Sequence, residues 1–105
     1  FPPEILTFKK LENLVLRDNQ IKIVPKSIAQ LKYLKELYLW GNPLEVFPIG
    51  ITQLENLETL EIAKTSIKEI PVKIKKLTKL NNSLSRKFNI TQDYGTYVTT
   101  SWSRY

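Results

Sequence analysis

Proline stands at positions 25, 48 and 71, one every 23 residues, and each is set in the same apolar frame. A fixed period of this length belongs to a solenoid, in which one short unit repeats and stacks on the next. The frame runs Leu31, Leu34, Leu37, Leu39, Asn42, Leu44, Phe47, Pro48, Ile51 and Leu54. It returns as Leu57, Leu60, Ile62, Thr65, Ile67, Ile70, Pro71, Ile74 and Leu77. Read backwards it gives Phe8, Leu11, Leu14, Leu16, Asn19, Ile21, Val24, Pro25 and Ile28, with Pro2 and Ile5 still in phase. The repeats therefore divide as a partial unit over 1–7, full units from 8, 31 and 54, and the start of another at 77, with the repeat region closing at 80.

Each part of the frame has a physical reason. In "KELYLWGN" Leu37 and Leu39 alternate with Tyr38 and Trp40, as a short strand with one buried face requires. Asn42 follows where the chain turns, and its side chain suits backbone groups that a turn leaves unpaired, stacking with Asn19 one unit away. Thr65 takes that place in the next unit and predicts a weaker ladder there, not a broken one. Each proline fixes φ at or near the start of a short helix or helical turn, in "PKSIAQL", "PIGITQL" and "PVKIKKL". Apolar residues then recur every third position, as in Ile28, Leu31 and Leu34, which lays one face on the strand layer.

Composition narrows the chemistry. The 105 residues include no histidine, cysteine or methionine. Without histidine or cysteine there is no Ser-His triad, thiol nucleophile or ordinary zinc or haem site, so no enzyme activity, cofactor or metal is expected. Lack of cysteine also disfavours a secreted, disulfide-capped setting and favours an intracellular, cytoplasmic one. Lack of methionine points to a fragment or processed product. No apolar run is long enough to span a membrane and no signal peptide is visible.

The repeats resemble the leucine-rich-repeat superfamily, and the "IxxxPxxIxxLxxL" variant is similar to the intracellular Ras-suppressor and Scribble type, common also in bacterial repeat proteins. The resemblance runs from Pro2 to about Leu80. It implies an α/β solenoid, a right-handed arc with short parallel strands on the concave face and short helices or helical turns on the convex face. Such arcs serve mainly to bind other proteins, and the resemblance carries no catalytic residues.

Strand alternation then names the outward residues. They are Asn13, Val15, Arg17 and Asp18 in the first full unit, Glu36, Tyr38, Trp40 and Gly41 in the second, and Thr59, Glu61, Ala63 and Lys64 in the third. Tyr38 and Trp40 stand out, since large aromatics on an outward strand face are good anchors for a partner. Arg17 and Lys64 are expected to flank Trp40, with Glu36 and Glu61 completing a mixed polar rim. The alternative is that Trp40 shields the edge of a short sheet and contacts only its neighbours.

Charge adds little. Lysine and arginine exceed acidic residues by six, and the only dense cluster is Lys73, Lys75, Lys76 and Lys79 on the convex turn of the last full unit. It reads as a solvated face in preference to a phosphate or acidic-protein site. No aromatic interleaving, nucleic-acid motif or glycine-rich loop accompanies it, so nucleic acid is an unlikely partner.

After Leu80 the frame fails. Ser83 and Ser85 replace the expected leucines and Tyr94 the expected proline, so 81–105 reads as a degenerate last repeat, a C-terminal cap or an aperiodic tail. The same stretch resembles the activation segment of cyclin-dependent and mitogen-activated protein kinases. Leu84, Ser85 and Arg86 match its start, and Tyr97, Val98, Thr100, Trp102 and Arg104 its end. Asn81, Asn82 and Ser83 stand where the metal-binding D-F-G belongs, so kinase activity is excluded for this chain. Asn81 and Asn89 head glycosylation triplets that read as chance in an intracellular protein. The leading function is a non-enzymatic protein-interaction module in intracellular signalling or scaffolding, gripping a partner on the concave face. The alternatives are a repeat fragment linked to a kinase-like signalling enzyme, and a spacer whose aromatics pack on neighbouring repeats.

Overall fold

A computed structural model of the protein describes residues 1–80, so the cap, kinase-like and glycosylation readings of 81–105 lie outside the described residues. Three strands, β1 (Asn13–Val15), β2 (Glu36–Tyr38) and β3 (Thr59–Glu61), form a parallel sheet in chain order. Their register repeats the sequence period, pairing Asn13 with Glu36 and Glu36 with Thr59. Backbone bonds extend the ladder beyond the strands, from Leu16 N to Tyr38 O at 2.8 Å and from Leu39 N to Glu61 O at 2.7 Å.

Among the described residues four 3₁₀ turns accompany the strands, Pro3–Thr7 before β1, Lys26–Gln30 and Ile49–Gln53 between strands, and Val72–Lys76 after β3. A proline caps the start of each, with φ of −73°, −68°, −69° and −65° at Pro2, Pro25, Pro48 and Pro71. That is the φ the pyrrolidine ring imposes, and the missing N–H is no loss at a helix start. The three-residue apolar spacing and the hydrogen bonding coincide. Ile28 N donates to Pro25 O, Leu31 N to Ile28 O and Leu34 N to Leu31 O, all near 3 Å (3.1, 3.0 and 3.1 Å). A 3₁₀ turn has three residues per turn, so the residues making these bonds also share one face.

That face and the inward face of the sheet enclose the core. Leu37, Leu39, Leu60 and Ile62 are fully buried from the strands, and Ile28, Leu31, Ile51 and Leu54 from the turns. Leu14 and Leu16, one unit earlier, keep 8% and 7% of their surface, since burial in a stack needs a neighbour on each side. Phe1, Ile5, Leu6 and Leu11 pack partly buried against that end.

Asn42 joins the first two units. Its Oδ1 accepts from the backbone N–H of Asn19 at 2.9 Å and of Ile21 at 3.0 Å, and its Nδ2 donates to Leu16 O at 2.7 Å and Leu39 O at 2.9 Å. The amide is buried and spent on backbone, so it meets Asn19 through the main chain and not by stacking of side chains. Thr65 behaves differently from the expected shorter rung. Its Oγ1 donates to Ile62 O at 2.9 Å and accepts from Ile67 N at 3.4 Å, both within its own unit. A hydroxyl on Cβ is too short to reach back, and backbone bonds such as Ser66 N to Leu44 O at 2.8 Å connect the units there. Asn42→Ala is expected to cost about 3 kcal/mol in urea unfolding because it strands buried backbone groups, whereas Thr65→Ala should cost under about 1.5 kcal/mol. Equal losses at the two sites would show that the inter-repeat amide has no special weight.

Candidate functional site on the strand face

Outward side chains of the three strands form one surface, and five of the expected residues are joined in a network across it. Asn13 Nδ2 donates to Glu36 Oε1 at 2.9 Å, and the Tyr38 hydroxyl donates to the same oxygen at 2.9 Å. Arg17 reaches from the first unit to the third. Its guanidinium carbon lies 5.0 Å from the centre of the Tyr38 ring, and its Nε donates to Glu61 Oε1 at 2.9 Å. A planar cation on an aromatic face with a carboxylate at its edge combines cation–π attraction with a charge-assisted hydrogen bond.

Some details differ from the alternation pattern. Arg17 carries its guanidinium onto the Tyr38 ring, because Glu61 lies beside Tyr38 in the sheet register and draws it there. Ala63, counted as outward, is buried at 3% exposure, since a single methyl lies below the level of longer side chains around it. Trp40 and Tyr38 are half-buried. Val15 keeps 54% of its surface. Asp18 and Lys64 are exposed at the end of the row, and Thr59 is half-buried at the start of β3.

Asp18, Gly41 and Lys64 occupy one position of the frame, and all three have left-handed φ of 54°, 81° and 59°. The chain must reverse there to leave the strand, and only the middle unit has a glycine for it. A Cβ on Gly41 would collide with the carboxylate of Asp18 where it now stands, so a side chain there would have to displace it.

Sequence reasoning missed a second surface. Ile23 and Val46, on the segments that lead into the turns, expose 75% and 78% of their surface, and Ile49 and Val72, the first residues of their turns, expose 37% and 71%. Val46, Ile49 and Val72 line an open groove with Ser66, Lys68 and Glu69. Its cause lies at Gly50, where a Cβ would sit 2.6 Å from Lys26 O, so the turns Lys26–Gln30 and Ile49–Gln53 approach closely. Lys73 holds that frame position in the next unit, and Ile49–Gln53 and Val72–Lys76 pack less closely. The apolar pair Ile23 and Val46, 23 residues apart, was the available signal. Of the clustered lysines, Lys79 donates to Asn56 Oδ1 at 2.7 Å, and Lys73, Lys75 and Lys76 lie exposed on the turn. Among the described residues no group of acidic side chains is placed to hold a metal, and no helix is long and apolar enough to cross a membrane.

Comparison with known proteins agrees with this geometry. A family model described as Leucine Rich Repeat matches residues 10–31 and 33–54. The structure of a leucine-rich-repeat protein of Leptospira interrogans is similar, with 44% identity, a TM-score of 0.69 and coverage of 75% of this chain. The fold is that of the leucine-rich-repeat superfamily. The match spans 20% of the Leptospira protein's own length. No curated protein matches the chain. Leucine-rich-repeat domains generally mediate protein–protein interaction and are typically not enzymes, which accords with a face built of fixed polar and aromatic side chains.

Burial raises the pKa of Tyr38 above its ordinary 10.0, aided by the hydrogen bond to Glu36 and by the charges of Glu36 and Glu61, against a smaller opposing effect of Arg17. The folded chain therefore holds this proton more tightly than the unfolded one. The associated stability is complete below the unfolded value and declines as pH rises through the folded one. In urea unfolding between about pH 9 and pH 11, Tyr38→Phe is expected to make that decline shallower. An identical slope in both proteins would mean the hydroxyl feels no such surroundings.

Proposed function

We propose that this leucine-rich-repeat protein is a non-enzymatic interaction module that binds another protein on its strand face, the concave side of the arc, in intracellular signalling or scaffolding of the Ras-suppressor and Scribble kind. The supporting observation is the network of Asn13, Glu36, Tyr38, Arg17 and Glu61, which holds long side chains in place across three strands. Side chains already ordered lose less entropy on binding, so their contacts convert more fully into affinity. Trp40 lies next along the same strand face, half-buried, with surface left to cover. Val15, Asp18, Thr59 and Lys64 complete the contact surface around it. The absence of cysteine supports an intracellular setting.

Trp40→Ala tests the reading. Partner capture from a cell extract, quantified by mass spectrometry, should fall by about 30-fold for proteins bound through this face, as expected for loss of an aromatic anchor worth about 2 kcal/mol. The circular dichroism spectrum should stay unchanged, and Lys76→Gln on the far side should capture as the parent does. Undiminished capture by folded Trp40→Ala would overturn the proposal.

A further inference from the structure

Arg17 marks a seat on the strand face that the chain fills with its own side chain. The Tyr38 ring and the Glu61 carboxylate hold its guanidinium from face and edge, which is how proteins bind arginine in general. The surroundings have the same preference. Glu36 lies two residues before Tyr38, and one oxygen of its carboxylate accepts hydrogen bonds from Asn13 and from the Tyr38 hydroxyl. At the end of the row exposed Asp18 and Lys64 offset one another in charge, and Trp40 extends the aromatic surface. The field at the Tyr38 hydroxyl is correspondingly negative, with Glu36 and Glu61 outweighing Arg17. All this stands on a chain of net charge +6, so the local preference opposes the charge of the whole molecule.

We propose that the strand face recognises an arginine side chain of a partner polypeptide, seated on Tyr38 and paired with the Glu36 and Glu61 carboxylates, and that Arg17 occupies this seat in the free chain. The inference rests on the strand-face reading above and names the chemistry that the face takes. Arg17 keeps 49% of its side-chain surface, and an ion pair so exposed is weak. A partner's arginine, fixed in place by neighbouring contacts to Trp40 and Val15, displaces it. Lysine is a poorer ligand for the same seat, since an ammonium lacks the flat face that stacks on tyrosine and the fork that matches a carboxylate.

The test is an NMR titration of the ¹⁵N-labelled full chain with three blocked peptides, alike except for two positions carrying arginine, lysine or glutamate. The arginine peptide should shift amides of 13–18, 36–41 and 59–64 and bind at least about tenfold more tightly than the glutamate peptide, against the direction that net charge alone would impose. Arg17→Ala, which vacates the seat, should tighten arginine-peptide binding about threefold, and Tyr38→Leu added to it should abolish the gain. A preference for the glutamate peptide with shifts on the same strands overturns the arginine inference and leaves the strand-face reading standing. Shifts confined to 72–79 overturn both. Weaker arginine binding by Arg17→Ala, or no shift with any peptide, also overturns the inference, and the Trp40→Ala capture then decides the strand-face reading separately.

Discussion

A turn in a stacked chain leaves backbone N–H and C=O groups open, and a side chain of the neighbouring unit can reach them. Asn42 does this for the first two repeats, closing four backbone groups with one buried amide. The same 23-residue register runs on from β2 to β3, where the backbone ladder holds it without such an amide. Asparagine is suited to the place because its amide offers an acceptor and two donors on a stem long enough to cross between units. Thr65 does not cross, and at that turn the backbone bond from Ser66 N to Leu44 O joins the units.

Fixed spacing between units also creates the candidate site. Strands of a parallel pair lie about 4.8 Å apart, so a side chain as long as arginine spans two of them. Arg17 does so, passing over Tyr38 on the way to Glu61. The side chains are thereby held in place around a ring that stays half exposed. On the opposite limbs the spacing is less even, because Gly50 permits a close approach that Lys73 does not repeat, and an apolar groove opens where the turns diverge.

Much of this was legible from residues. The prolines stand where the period placed them, at the start of helical turns, and the three-residue apolar spacing matches the three-residue pitch of those turns. Leu37 and Leu39 are buried as their alternation required. The site was legible as a set of positions and not as a set of contacts. Alternation says which way a Cβ points, yet Ala63 is buried from an outward position and Trp40 is half covered, because exposure depends on the length of neighbouring side chains. The left-handed turn at Asp18 and Lys64 was hidden too, since only Gly41 carries a residue that advertises it.

By itself the sequence determined the repeat, its 23-residue register, the inward columns and the row of outward positions, because periodic burial of apolar side chains admits one way of stacking such units. Tertiary structure alone decided which outward residues meet. Arg17 and Glu61 are 44 residues apart and come together through the stacking of three units, with Tyr38 interposed by the register. No local pattern encodes that meeting, since a long side chain chooses among partners on several strands by charge and distance, and those distances exist only once the units are stacked.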